Sequence, residues 1–497
     1  MTLSAPETSA DNEPQPLRRR FVWHAASAVG FSILQQVLGL LRQIMIAAFF
    51  GVSRDYDGYV VAYSLAVMAV FNLSGVFDTV AVSRLAHIRE RDGDDAFWRA
   101  SNRLLLQSLV ASLPFAALFI GALWLTTPII AAGFTDAERT LLMTLGWYFV
   151  PWVLVILPYY AMAAHLKAHW QFSWVFAAEL LIIAVSMIAL WLRHDTILWL
   201  PVAYAIGYAA GALLLLARRT LKFSDPAAPR VDFTASMTKQ YLAYQTVNAN
   251  GFAERYFQSF IAAGGISALG YVGLIVNNLS SLLTFREIYV VPLSAEAGRE
   301  QRLERMLRGL VLICIPCALF IYVYAEPLVS VLFQRGKFTP QAAALTADVL
   351  RIMVLLMVIS TVVVPLERIF QIVDRLLFTH IRYGVTLVGT FVFQWLFVFY
   401  LKWDVQGVAW GWVCNGVLSL AVVIVLVRRC GVSLRWHGIL ANALLAGAGA
   451  GIALAISWLV ASKYSGWVEL AAGGCIYAAL LGLCLLVTRH RWRWIIG

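Results

Sequence analysis

Charge is scarce in this 497-residue chain: Asp, Glu, Lys and Arg make up 13% of it, and hydrophobic residues 61%. So little charge cannot solvate the surface of a soluble domain of this size, which excludes an ordinary globular enzyme. Long polar stretches are missing too. Beyond the polar first residues and one connection from Arg218 to Lys239, the segments between apolar runs leave no room for a separate catalytic domain. Cysteine is sparse, with six in all: Cys314, Cys317, Cys414, Cys430, Cys475 and Cys484. Cys314 and Cys317 have CxxC spacing, but they lie inside an apolar run with no second ligand pair, which argues against redox or zinc chemistry. None of the eight His falls in an HExxH pattern. His165 and His169 flank Lys167 and read as a solvated loop. No cleavable signal peptide pattern precedes the first apolar run.

What remains is an all-α polytopic membrane protein. Fourteen spans are expected, at about 22–50, 57–83, 104–130, 140–165, 171–192, 196–217, 240–263, 266–293, 309–333, 341–373, 381–401, 404–427, 437–461 and 465–488. Residues 1–20 are expected to form a disordered cytoplasmic tail, because Met1 to Pro16 is polar and contains Pro and acid. Residues 21–217 form an N-terminal lobe of six spans, and 218–239 a linker with Pro226 and Pro229. Residues 240–428 form a second six-span lobe, and 429–497 a C-terminal helix pair.

Net charge of +11 does not point to nucleic acid, since most cations fall between apolar spans. About 26 of the 38 Lys and Arg lie on the side that holds Arg18, Arg19 and Arg20, and about 7 on the other. That bias places both termini in the cytoplasm.

One stretch occurs twice. Arg42 runs to Gly51 and on to Gly58-Tyr59-Val60; Arg255 runs to Gly264 and on to Gly270-Tyr271-Val272. Each copy reads as the end of one helix, a tight turn and the start of the next. A charge inside an apolar span is costly, so it pairs or faces a watery cavity. Arg42 and Asp57, with Asp78, fall in spans 1 and 2, and Glu254, Arg255, Arg286 and Glu287 in spans 7 and 8. These seven are the candidate cavity residues of two related halves around one polar site. Arginine suits phosphate because its planar fork binds oxygens in pairs. The structural alternative is ion pairing between helices, with Glu254 as the counter-charge of Arg42. Glu179, Asp348, Arg351, Glu367 and Arg368 read as packing or boundary charges.

Four stretches resemble the MurJ/MviN branch of the multidrug/oligosaccharidyl-lipid/polysaccharide exporter superfamily. They are Gly39-Leu-Leu-Arg42 through Gly51 to Asp57, Glu254-Arg255-Tyr-Phe, Ser267-Ala-Leu-Gly-Tyr271, and Leu332-Phe-Gln-Arg335-Gly336-Lys337-Phe338-Thr339 followed by Thr346-Ala347. The resemblance implies two lobes, a cavity lined partly by spans 1, 2, 7 and 8, and alternating access. It implies a flippase of the bacterial inner membrane that makes and breaks no bond, with a polyprenyl-pyrophosphate-linked glycan and membrane lipids as partners. It calls for no cofactor. A glycan polymerase and export machinery are prospective partners.

The chain departs from that pattern at Gln36 and Gln43, around Ala69 and Val70, and at Gly273 and Leu274, where the branch tends to carry charge. Those losses favour an exopolysaccharide or other surface-glycan repeat unit over lipid II, the precursor of peptidoglycan. Lipid II flipping stays open, as does a cation-coupled drug exporter, which would want an acid-dominated cavity. A membrane glycosyltransferase or glycan polymerase would want a large outer loop or an acidic cluster, and the short loops argue against it.

The charge bias makes a topology prediction. Reporter fusions after Arg230 and Arg302 are expected to report cytoplasm, and a fusion after Arg335 the opposite side; the reverse pattern overturns the orientation.

Overall fold

The computed structural model describes residues 15–219, 234–284, 298–464 and 466–487, and among these every regular element is a helix. In chain order they are α1 (Gln15–Phe50), α2 (Arg54–Val76), α3 (Ser83–Ile130), α4 (Asp136–Ala168), α5 (Phe172–Leu192), α6 (Trp199–Arg218), α7 (Thr234–Gln258) and α8 (Gly265–Thr284). There follow α9 (Arg299–Val323), α10 (Ala325–Phe333), α11 (Pro340–Ile372), α12 (Leu376–Gln394), α13 (Asp404–Arg429), α14 (Trp436–Ala461) and α15 (Trp467–Val487). Two π-helical segments extend α2 over Phe77–Val82 and α12 over Trp395–Tyr400.

Among the described residues ten segments are long and apolar enough to cross a membrane, and two shorter apolar helices lie at Gly265–Ser280 and Trp467–Leu483. One of the ten, Arg54–Ile130, runs for 77 residues. At 1.5 Å per residue that is about 115 Å, several times a hydrocarbon core of about 30 Å. Gly93, at φ 84° and ψ 179°, breaks it into the two spans that the sequence suggests. Helix α7 stands apart because it is too polar, carrying Asn248, Asn250, Glu254 and Arg255.

The structure shifts some boundaries. Gln15–Arg20, expected in the disordered tail, begins α1, with Pro16 in the first turn, where a missing N–H costs nothing. Thr234 begins α7, inside the expected linker. Expected span 9 is two helices, α9 and α10, divided at Tyr324. His165 and His169 are not a solvated loop. Helix α4 continues to Ala168 and seats both rings against Phe97, at 5.0 and 4.4 Å between centroids. His165 Nδ1 meets Ser101 Oγ at 2.8 Å, and Arg219 donates to Ser101 Oγ and Asn102 Oδ1. Burial pushes the Arg219 guanidinium down to about 10 and lowers His169 as well.

Packing groups the helices. In the first half α3 lies on α4, α4 on α2 and α6, and α5 on α6 and α1. In the second, α11 lies on α8, α9 and α13, and α12 on α7 and α13, while α14 joins α9 and α15. Side-chain caps start the helices that follow three turns at one end of the bundle. Ser53 Oγ accepts from Tyr56 N, Thr339 Oγ1 accepts from Ala342 N, and Thr135 forms a reciprocal capping box with Glu138.

Close helix approach in the first half depends on Gly207, where a Cβ would lie 2.5 Å from the Ile182 carbonyl oxygen on α5. Gly207→Ala is therefore expected to cost about 1–3 kcal/mol by overpacking against backbone. A lowered melting temperature of the purified protein checks this.

Candidate functional site: the seam between the halves

Two arginines and two glycines define the internal repeat, and the structure gives the glycines the same local role. Gly51 and Gly264 end their helical hairpin arms at φ 64° and 85°, the left-handed region that glycine adopts without strain. A Cβ on Gly51 would lie 2.5 Å from Lys337 O, and one on Gly264 2.5 Å from Val52 Cγ1. Both turns are thus pressed against the opposite half.

Asp57 sits at the centre of this contact and is fully buried. Its Oδ2 accepts from Gly264 N at 2.6 Å; its Oδ1 accepts from Ser267 N at 2.7 Å and from Ser267 Oγ at 2.5 Å. The acid of α2 therefore caps the N-terminus of α8 across the seam. Backbone N–H groups there are unmatched within the helix and carry partial positive charge, so a carboxylate is the favoured partner. The Arg54 guanidinium lies 3.8 Å from the same carboxylate. Arg54 also pairs with Glu138 at 2.7 Å and donates to Ile261 O.

Further bonds close the same end. Lys337 N donates to Ala48 O at 2.8 Å, Tyr271 Oη to Gly51 O at 3.0 Å, and Gly133 N to Ser259 Oγ at 3.0 Å. A Cβ on Gly133 would lie 2.4 Å from Ser259 O, and one on Gly336 2.3 Å from Ala48 O, so backbone meets backbone at both points. By the expected orientation this is the outer end. Toward the other end, α7 stays on α2 and the start of α3: Asn248 Nδ2 donates to Met68 O, Tyr241 Oη to Ala69 O, and Arg84 of α3 to Ser236 Oγ at 2.5 Å.

Of the remaining expected site residues, Arg42 and Glu254 do not meet. Arg42 lies 4.6 Å over the Tyr204 ring, which packs on Tyr63 at 5.4 Å between centroids, with Tyr59 next to Tyr63 at 5.8 Å. Glu254 accepts from Asn250 Nδ2 at 2.7 Å, within a chain in which Thr390 donates to Asn250 and Asn415 to Thr390. Arg255 donates to Gln258 Oε1 at 2.5 Å. Among the described residues no acid pairs with Arg42 or Arg255 within salt-bridge distance, and the Nε of each is buried without a hydrogen-bond partner. Gln36 Oε1, Gln43 Oε1 and Gln258 Nε2 share that condition on the same two helices. Asp78 is taken up elsewhere: the π-helical segment presents it to Lys167 Nζ, 2.8 and 2.9 Å from its two oxygens. Arg286 and Glu287 lie outside the described residues. Glu367 pairs with Arg382 and not with its neighbour Arg368, as helical spacing requires. Cys314 Sγ lies 3.3 Å from Thr361 Oγ1 inside the bundle.

Sequence reasoning missed Arg54, Glu138 and the tyrosines around Arg42. Arg54 and Glu138 lie at helix starts, where a charge is common and carries no signal of its own. The tyrosines stand at helical spacing on two helices, Tyr59 and Tyr63 on α2 and Tyr204 and Tyr208 on α6, a signal that packing residues also give.

Two helical halves joined by short backbone contacts at one end, with paired intramembrane cations on equivalent helices, have the fold of the multidrug/oligosaccharidyl-lipid/polysaccharide exporter superfamily. A solved lipid II flippase MurJ in an inward closed conformation superposes with a TM-score of 0.76, covering 94% of this chain and 100% of that one at 17% identity. An inward-facing multidrug transporter of the MATE family gives a TM-score of 0.57 over 80% and 94% of the two chains, at 15% identity. The model of the family described as "Lipid II flippase MurJ" matches residues 46–467, and the chain belongs to that family. A curated lipid II flippase MurJ from Burkholderia cenocepacia is 25% identical over 357 residues, which are 65% of this chain and 67% of the relative.

The Asp57 contact makes a prediction. Asp57→Asn replaces one acceptor oxygen by an NH2 donor, which must oppose either the Gly264 N–H or the Ser267 N–H and hydroxyl. It is expected to loosen this end of the seam. Spin labels on the exposed residues Asp136 and Gln341, one in each half, should then report a longer or broader distance distribution than in the unaltered chain. An unchanged distribution would show that the other seam contacts hold that end alone.

Proposed function

We propose that the chain moves a polyprenyl-pyrophosphate-linked sugar across the inner membrane, and that lipid II is that substrate. The observation that carries the reading is the pair Arg42 and Arg255. They stand at matching positions of the repeat, one per half, and among the described residues no acid lies within salt-bridge distance of either. An arginine whose Nε is buried without a hydrogen-bond partner is costly, and an anion that brings paired oxygens would relieve that cost. Membership of the MurJ family and the Burkholderia relative support lipid II over the repeat unit that the sequence departures favour. On this reading the residues bind and release; Asp57 and its partners hold the outer end shut while the site faces inward.

A surface-glycan repeat unit is the second reading. Gln36, Gln43, Ala69, Val70, Gly273 and Leu274 carry it, because a cavity with fewer fixed charges grips a multiply charged headgroup less.

Cells depleted of their own MurJ separate the two. Growth restored by this chain supports lipid II; failure at normal abundance favours the second reading. Arg42→Ala and Arg255→Ala are each expected to abolish flipping while abundance stays near normal, and Lys at either place to restore it only in part. The structural alternative forecasts otherwise: an Arg42→Ala, Glu254→Ala double variant would flip normally.

A further inference from the structure

A large apolar groove runs along the seam on the membrane-facing side, outside the site just described. It has a volume of about 970 Å³ and is walled by α3, α7 and α12, so both halves contribute to it. Its aromatic wall includes Phe252 and Tyr256 of α7 and Phe391, Trp395 and Phe399 of α12 with its π-helical extension. Thr126 of α3 has its hydroxyl turned back to Ala122 O at 2.7 Å, which leaves that wall apolar as well.

Position fixes what can enter. Ile130 ends α3, Phe257 is one residue from the end of α7, and Phe399 is one residue from the end of the π-helical segment. All three lie within a turn of the closed end, so the groove opens to one leaflet, the outer one by the expected orientation. Trp395 and Phe391 remain 55% and 49% exposed and present their rings to lipid. Helix α7 turns Ala249, Phe252, Ala253, Tyr256 and Phe257 into the groove, and helical spacing puts Glu254 and Arg255 on other faces of the same helix. The groove is continuous with the seam, whose contact Gly133 N to Ser259 Oγ lies just beyond these helix ends. An exposed cation, Lys402, follows Phe399 by three residues in the turn that closes α12.

We propose that this groove receives the isoprenoid tail of the lipid-linked substrate in the leaflet of arrival, with Lys402 against its phosphate. The inference rests on the flippase reading. The polar head of such a lipid crosses between the halves while its tail stays in the bilayer. A tail held at the seam touches α3 on one side and α7 and α12 on the other, and so follows their relative movement. The apolar walls match the hydrocarbon, and one interfacial cation matches one anionic head.

The test uses the full chain in phosphatidylcholine vesicles with a polyprenyl phosphate that bears a diazirine in its tail. Photoadducts are expected on α3, α7 and α12 groove residues. Ala249→Trp, which fills the groove from a half-exposed position, should remove them, and Lys402→Ala should weaken labelling about fivefold, the worth of one interfacial cation. An unchanged melting temperature guards against misfolding of either variant. Adducts confined to other faces, or labelling indifferent to Ala249→Trp, would overturn the proposal. So would full displacement by excess phosphatidylglycerol, which would make an ordinary phospholipid the occupant. The probe has no sugar and is read without transport. Failed labelling with intact lipid II flipping therefore sinks the groove alone, and labelling without flipping sinks the flippase reading.

Discussion

One carboxylate holds the arrangement together. Asp57 lies in the first half and accepts three hydrogen bonds from the first turn of α8 in the second. A buried carboxylate is tolerable only where such donors converge on it, and charge-assisted bonds to a helix N-terminus are among the stronger ones available. Everything around it follows from the need to bring backbone to that distance. Gly51, Gly133, Gly264 and Gly336 are the positions where a side chain would strike the opposite half or its loops. Arg54 ties Asp57 to the α4 capping box through Glu138, so the turns at this end form one hydrogen-bonded layer.

The interior is organised differently. Contacts along the seam below that layer are single side-chain bonds, such as Asn248 to Met68 O, Tyr241 to Ala69 O and Arg84 to Ser236 Oγ. Arg42 and Arg255 are held by aromatic and amide neighbours rather than by acids. An ion pair would quench them, whereas a ring face or a glutamine leaves donors for a ligand. Charges with no such part to play are paired within their own half: Asp78 with Lys167, Asp348 with Arg351, Glu304 with Arg308, and Glu367 with Arg382.

Much of the fold was legible in the chain, since length, apolarity and turn residues decide a membrane helix almost without reference to its neighbours. The helical hairpins around Gly51 and Gly264, and the break that Gly93 makes in a 77-residue run, follow from local chemistry. The site was legible in part. Arg42 and Arg255 stood out because charge in an apolar span is rare. Arg54, Glu138 and Ser267 did not, because a polar residue near a helix end has many ordinary explanations.

By itself, the sequence determined an all-α membrane protein with a twice-used hairpin and an arginine in each copy, because the bilayer penalises every unmatched polar group locally. Which acid meets which donor was decided only in three dimensions. Asp57 caps a helix 207 positions away, and Glu254 turns to Asn250 rather than to Arg42. Hydrogen-bond geometry acts over about 3 Å, and no spacing along the chain encodes a distance between helices that packing alone brings together.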